Sequence, residues 1–312
     1  MNFHKNIKSG YYLATLAGII TILLWASNIA FSRSVMDREG SMNTAFYIYF
    51  YSAIVIFLMI LIFQPGAISF RRSGLLSIHL KSGIFFIVNN VLLFVAVGMA
   101  AKNEELVIVA LLNYTWPILV YITAIPLLGL KIPAKTLLPG VLLALAGVFL
   151  ALLQGSDIGS IHRILQAGND NLLAYFLAFL TALSWALYTN LTVRHESGSD
   201  LKVIPIVFMI SSFIFLMILA VTGKLSTISL TAPLRDPELV YLILGPTSMG
   251  YLGWYIAIKK GNRNLVTSLS FFIPLLSLLI IHFRFKVPVS LLFWAAAMLL
   301  IAGSYLFYRS AK

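Results

Sequence analysis

The chain has no cysteine, and charge is scarce in it. Without thiols there can be no disulfide and no thiolate metal site. Charged residues make up 10% of the sequence, against roughly 25% in soluble domains, so a water-soluble globular class does not fit. Acids are the scarcer sign, ten against 22 Lys and Arg. Enzyme signatures are missing as well: there is no His-Glu-x-x-His zinc pair, no Gly-x-Ser-x-Gly elbow and no phosphate-cradling glycine loop ending in Lys. His195-Glu196 has no second histidine in register and reads as a solvated turn. No runs of about ten residues alternate in polarity, which sets aside a transmembrane β-barrel.

What remains is hydrocarbon. Mean hydropathy is +0.96 and 60% of residues are hydrophobic. Apolar stretches recur from end to end, each near the ~20 residues that cross a bilayer as a helix. Spans are expected near 11–32, 44–63, 79–100, 106–125, 136–153, 172–193, 203–221, 239–258, 265–282 and 289–308. The expected fold is an all-α integral membrane protein with ten transmembrane helices. Lys5 and Lys8 precede the first run, but that run is too long for a signal peptide and lacks a small-residue cleavage site, so it is expected to be retained. With the N-terminus in the cytoplasm, inside segments hold fourteen of the 22 basic residues, and the entire formal charge of +12 falls on that face. Lys and Arg resist translocation, so this orientation is favoured, with both termini cytoplasmic. The basic pI of about 9.9 then needs no nucleic-acid partner.

The two halves echo each other. Shifting the first span by 160 residues places Ala14, Gly18, Ile22, Ala26 and Ala30 on Ala174, Ala178, Ala182, Ala186 and Asn190, and Trp25 on Trp185. Such stripes let helix backbones approach closely in lipid, where no hydrophobic effect drives packing. Shifting the fourth span by 157 residues brings Pro117 onto Pro274 and Lys102 onto Lys259. Pro133 and Gly147 then correspond, with small indels, to Pro288 and Gly303. Two repeats are expected, 11–154 and 171–308, of five helices each. An odd number sends the second half into the membrane from the opposite side, giving inverted repeats and the geometry of alternating access. A carrier is the natural reading; an intramembrane enzyme, a channel and a receptor are minor alternatives.

One span interrupts itself. Residues 111–130 read LLNYTWPILVYITAIPLLGL, with Asn113-Tyr114-Thr115-Trp116 ahead of Pro117. Proline lacks an N–H and its ring collides with the carbonyl four residues back, so polar backbone near Asn113 needs a cavity or a neighbour. Asn113 facing lipid would be costly, whereas facing inward it can bind a solute or bridge helices. Tyr114 and Trp116 offer flat rings with a polar tip. Trp25 and Asn28 on the first helix, Trp185 and Tyr188 on the sixth, Asn89 and Asn90 on the third, and Tyr251, Trp254 and Tyr255 on the eighth extend a mostly apolar pocket with a few polar groups. Ser268 and Ser270 precede Pro274. Tyr47, Tyr49 and Tyr51, at alternate positions, wind around their helix and are expected to pack or anchor.

Ten helices, Leu24-Trp25-Ala26, Ser184-Trp185-Ala186 and the proline-bearing fourth and ninth helices together resemble the drug/metabolite transporter superfamily with its paired EamA-type repeats. Leu112-Asn113-Tyr114-Thr115-Trp116-Pro117 is similar to the Asn-Tyr-x-Trp-Pro segment of that superfamily's bacterial aromatic amino-acid exporters. The resemblance implies a central cavity lined by the first, third and fourth helices and their counterparts, the sixth, eighth and ninth.

No Asp, Glu, Lys or Arg occupies the middle third of any expected span. That leaves no carboxylate proton relay and no buried cation for phosphate, and favours neutral or zwitterionic cargo. His79 and His282 lie near span ends; His79, beside Lys81, is the better functional candidate. The expected activity is export of amino acids, aromatic or bulky neutral ones, across a bacterial inner membrane, with a broad drug or metabolite carrier as the alternative. The expected binding residues are Asn113, Tyr114, Trp116, Trp25, Asn28, His79, Asn90, Trp185, Tyr188, Tyr251 and Trp254, with Pro117 and Pro274 as hinges. No catalytic residue, cofactor or metal is expected. The expected partners are the amino-acid cargo and membrane lipid, with one chain as the transport unit.

Overall fold

A computed structural model describes residues 2–63, 73–100, 103–153, 166, 170–194, 200–285 and 291–310. Long apolar runs become helices because a backbone in hydrocarbon must satisfy its own N–H and C=O groups. The first half contains α1 (Asn2–Glu39), α2 (Ser41–Phe63), α3 (Ser73–Met99), α4 (Asn103–Asn113), α5 (Trp116–Leu128) and α6 (Ala134–Leu152). The second contains α7 (Leu172–Arg194), α8 (Val203–Val221), α9 (Pro237–Leu242), α10 (Gly250–Lys260), α11 (Arg263–Leu269), α12 (Ile273–Phe285) and α13 (Leu291–Ser310). Gly40, with φ of +81°, makes the left-handed turn that reverses α1 into α2.

Among the described residues, eight helical stretches are long and apolar enough to cross a membrane: Gly10–Glu39, Ser41–Ile62, Ser82–Met99, Ile108–Leu128, Ala134–Ala151, Leu172–Arg194, Val203–Val221 and Leu291–Ser310. The expected eighth and ninth spans are helical but interrupted. In the eighth, a π-helical stretch, Ile243–Met249, containing Pro246, separates α9 from α10. In the ninth, one 3-10 turn, Ser270–Phe272, separates α11 from α12 just before Pro274.

The fourth span breaks at Tyr114-Thr115, and Pro117 lies in the first turn of α5. There Thr115 Oγ1 donates to Leu112 O at 2.6 Å. Ser270 Oγ donates to Thr267 O at 2.6 Å in the matching stretch of the other half. A hydroxyl thus bonds a carbonyl of the turn that precedes the break in each half.

Helix neighbours follow a pattern that survives exchanging the halves. α1 packs on α10 and α12, while α7 packs on α3 and α5. α3 packs on α8, as the π stretch packs on α2. α2 pairs with its counterpart α8, and α6 with α13. Small residues set the closest approaches. A Cβ on Gly147 would stand 2.7 Å from Leu300 Cγ, and one on Gly303 would stand 3.0 Å from Ala144 N. Ala174, Ala178, Ala182 and Ala186 on α7 are fully buried. On α2, Tyr49 stacks on Phe215 at 5.9 Å, the Tyr47 hydroxyl accepts the Ser229 N–H at 2.7 Å, and Tyr51 donates to Leu230 O.

Candidate functional site

The site starts from the crossing of α1 and α10. Gly18, Gly250, Gly253 and Ala257 remove side-chain bulk there; a Cβ on Gly253 would stand 3.0 Å from Ala17 O. Backbones this close bring Trp25 onto α10. Its ring lies 5.3 Å from Tyr251 and 5.3 Å from Trp254. From the other side α7 contributes Trp185, 5.5 Å from Trp25, and α5 contributes Trp116, 6.3 Å from Trp25 and 5.3 Å from Trp254. Four of the chain's five tryptophans therefore touch one another. Most pairs meet edge to face, the arrangement that the ring quadrupole favours. Tyr188 joins through Trp185 at 5.4 Å.

Side chains bond backbone carbonyls across the halves. First-half side chains reach the eighth-span carbonyls: Ser52 Oγ donates to Ile243 O at 3.1 Å, Trp25 Nε1 to Pro246 O at 3.0 Å and Thr21 Oγ1 to Gly250 O at 3.0 Å. Second-half side chains return the favour. Asn190 Nδ2 donates to Val120 O at 2.8 Å, and Ser277 Oγ to Ala26 O at 2.7 Å. Each bond ties one helix to another, although interhelical bonds in membranes average only about 0.6 kcal/mol net. Among the described residues six buried polar atoms keep no partner, including Trp254 Nε1, Asn90 Oδ1 and Asn190 Oδ1.

Of the residues singled out in the sequence, Trp25, Trp116, Trp185, Tyr188, Tyr251 and Trp254 come together. Asn113 ends α4, half-buried, and Tyr114 is buried in the turn after it. Asn28 accepts a hydrogen bond from Ser32 on its own helix at 3.0 Å. Asn90 is buried and donates to Ser211 at 3.4 Å, a clamp between α3 and α8, while Asn89 donates to Thr181 O at 3.1 Å. The side chain of His79 lies outside the described residues. Pro117 and Pro274 are both buried.

Sequence reasoning missed Phe86 and Phe208, both fully buried. Phe86 lies 4.8 Å from Tyr188, 5.1 Å from Tyr251 and 5.2 Å from Phe208. Phe86 sits three and four residues before Asn89 and Asn90, on one helix face, which was a usable signal. The Gly245-Pro246 pair inside an apolar run was another. Among the described residues no group of His, Asp and Glu could hold a metal ion. A separate cleft of about 770 Å³ opens between α2 and α8, lined by Phe46, Phe50, Met209 and Leu230, and contains none of these residues.

Apolar helices closed around an uncharged aromatic centre define a multi-pass membrane protein. The chain belongs to the EamA-like transporter family, whose profile matches residues 12–153 and again 172–309. It is 30% identical over 305 residues to the aromatic amino acid exporter YddG of Escherichia coli (strain K12), covering 96% of this chain and 98% of that protein. It is 28% identical over 302 residues to the exporter of the same name from Salmonella typhimurium (strain 14028s / SGSC 2262), with the same coverage. A solved crystal structure at 21% identity covers 96% of the chain and 98% of its own, with a TM-score of 0.76, a likeness of fold.

Proposed function

We propose that this protein is a bacterial inner-membrane carrier that exports aromatic or bulky neutral amino acids by alternating access. The observation that carries the reading is the cluster of Trp25, Trp116, Trp185 and Trp254, uncharged and assembled from both halves of the chain. Rings bind rings by offset and edge-to-face contacts, and tryptophan faces also accept an ammonium group. The names of the two relatives support the same cargo.

The carrier crosses the membrane ten times as two inverted five-helix repeats, near 11–154 and 171–308, with both termini cytoplasmic. Support comes from the double match of the family profile, from helix contacts that persist when the halves are exchanged, and from the basic residues gathered on one face. Asn113 at the α4 end presents an amide to the cargo's head group, and Pro117 and Pro274 are the joints about which half-helices tilt. His79, at the start of the expected third span, is a further candidate for cargo contact.

Labelled amino acids followed in cells and in proteoliposomes carrying this chain, with and without a pH gradient, test the reading. Efflux of Phe, Tyr or Trp above that of empty vesicles is expected. Movement of no amino acid removes the cargo assignment. A broad drug or metabolite carrier is the second reading, favoured by the absence of any fixed charge among the clustered rings. Competition by aromatic cations as strong as that by Phe would favour it.

A further inference from the structure

The centre of the aromatic cluster is held by one of its own members. The Trp25 indole touches Trp116 at 6.3 Å, Trp185 at 5.5 Å, Tyr251 at 5.3 Å and Trp254 at 5.3 Å, three of them edge to face. Its Nε1–H donates to Pro246 O at 3.0 Å. The slot around it is built from backbone as well as rings. The Gly250 N–H turns to Gly245 O and Thr247 O, so Pro246 O loses the donor that a regular α-helix would supply and takes the indole instead. Gly250 also clears the space: a Cβ there would lie 2.7 Å from Trp25 Nε1. Beside it Trp254 Nε1 is buried with no acceptor, an unmade bond of the kind that a bound polar group relieves.

We infer that Trp25 is the resident occupant of the cargo's ring slot. Its indole fills the place that the cargo side chain takes in exchange for it, and the slot selects rings bringing an N–H or O–H donor to Pro246 O. Indoles and phenols are therefore carried ahead of plain phenyl rings. The physical gain is symmetry between loaded and empty states. A vacant slot would be a cavity with lost contacts, whereas exchanging one ring for another conserves both ring contacts and the hydrogen bond. Loaded and empty carriers then stay close in energy, so both can reorient. The inference rests on the carrier reading proposed above.

The test uses purified full-length protein and indole as the probe. Trp25→Ala should contain an indole-shaped vacancy that binds indole by calorimetry and gains melting temperature with it, while the native protein, whose own ring must first leave the slot, should bind indole at least tenfold more weakly. 1-Methylindole, which has no N–H, should bind that variant about three- to tenfold more weakly. Adding Gly250→Ala to Trp25→Ala should weaken indole binding at least tenfold, because the new Cβ stands 2.7 Å from the place of Nε1, too close for a ring nitrogen there. If Trp25→Ala fails to accumulate, indole in the growth medium and buffers should restore its yield. No rescue overturns the inference, and so does equal indole binding by native protein and variant, or full binding by the double variant. Amino-acid efflux is read separately. Indole binding without amino-acid efflux supports the slot and removes the cargo; efflux without indole binding by Trp25→Ala overturns the slot and leaves the carrier.

Discussion

Trp116 is the first residue of α5 and only 7% exposed, with its ring edge-on to Trp25 and Trp254. A ring placed so is worth about 0.5–1.5 kcal/mol beyond the area it buries. Trp116→Ala should raise the half-saturating concentration about threefold to tenfold for Phe or Trp and less for a small amino acid, at equal protein level. Equal losses for both cargoes, measured by uptake into vesicles, would assign Trp116 to packing. At the end of α1, Arg38 pairs with Asp236 at 2.6 Å and Glu238 at 3.0 Å, and Asp236 also accepts the N–H groups of Glu238 at 3.0 Å and Leu239 at 3.2 Å. Arg38 is 46% exposed, so solvent screens the pair and its loss costs under about 1 kcal/mol. Asp236→Asn should keep the helix cap and cost little, whereas Asp236→Ala loses cap and pair and should cost about 1–2 kcal/mol. Thermal unfolding in detergent separates the two, and an equal drop for both variants would place the stability in the charge.

Two kinds of interrupted element meet at the site. Pro117 and Pro274 break their helices by removing an N–H, and the hydroxyls of Thr115 and Ser270 bond carbonyls of the preceding turn, Leu112 O and Thr267 O. Replacing either proline by Ala should rejoin the helix, leave protein level unchanged and lower transport by biasing one access state. Transport at the native rate in both single variants would show that the breaks are not joints. Glycine contacts make a sharper test of packing. Gly147 and Gly303 hold α6 and α13 together, each against the other helix. Gly147→Val forces branched carbons into Leu300, whose backbone N would lie 3.1 Å from the first of them. Overpacking of this kind costs about 1–3 kcal/mol and should lower the melting temperature without altering cargo preference. Gly129, at the C-terminus of α5 with φ of +67°, has nothing near a new Cβ, so Gly129→Ala should cost only its backbone strain, about 1 kcal/mol. These positions were partly legible: the proline and glycine correspondences stand in the sequence, but the bonds of Trp25 and Ser52 to the π stretch around Pro246 appear only in the folded chain.

At the scale of the whole molecule, both faces of the membrane can be addressed without altering native chemistry, because the chain has no cysteine. A reporter fused after Lys312 should be active as a cytoplasmic fusion, and one inserted within 156–169 as a periplasmic one. Single cysteines placed in those two segments should react with an impermeant thiol reagent only at the second. The reverse pattern at 156–169 would undo the inverted repeat.

Length, hydropathy and charge were readable without coordinates because each is set by the solvent. A bilayer demands apolar runs of about 20 residues and closed backbone bonding, and it sorts Lys and Arg to one side. The repeat was readable because Trp25 and Trp185, or Pro117 and Pro274, keep their order in both halves. What no single segment contains is which side chain serves which broken helix. Asn89, Asn90 and Asn190 look alike along the chain, yet each turns out to clamp a neighbouring helix. Phe86 and Phe208, unremarkable in apolar runs, close the cluster beside Trp185 and Tyr251. Those assignments belong to the tertiary structure alone, because an amide or a ring in lipid takes its role from the nearest group on another helix, and that neighbour is fixed by glycine contacts far away in sequence.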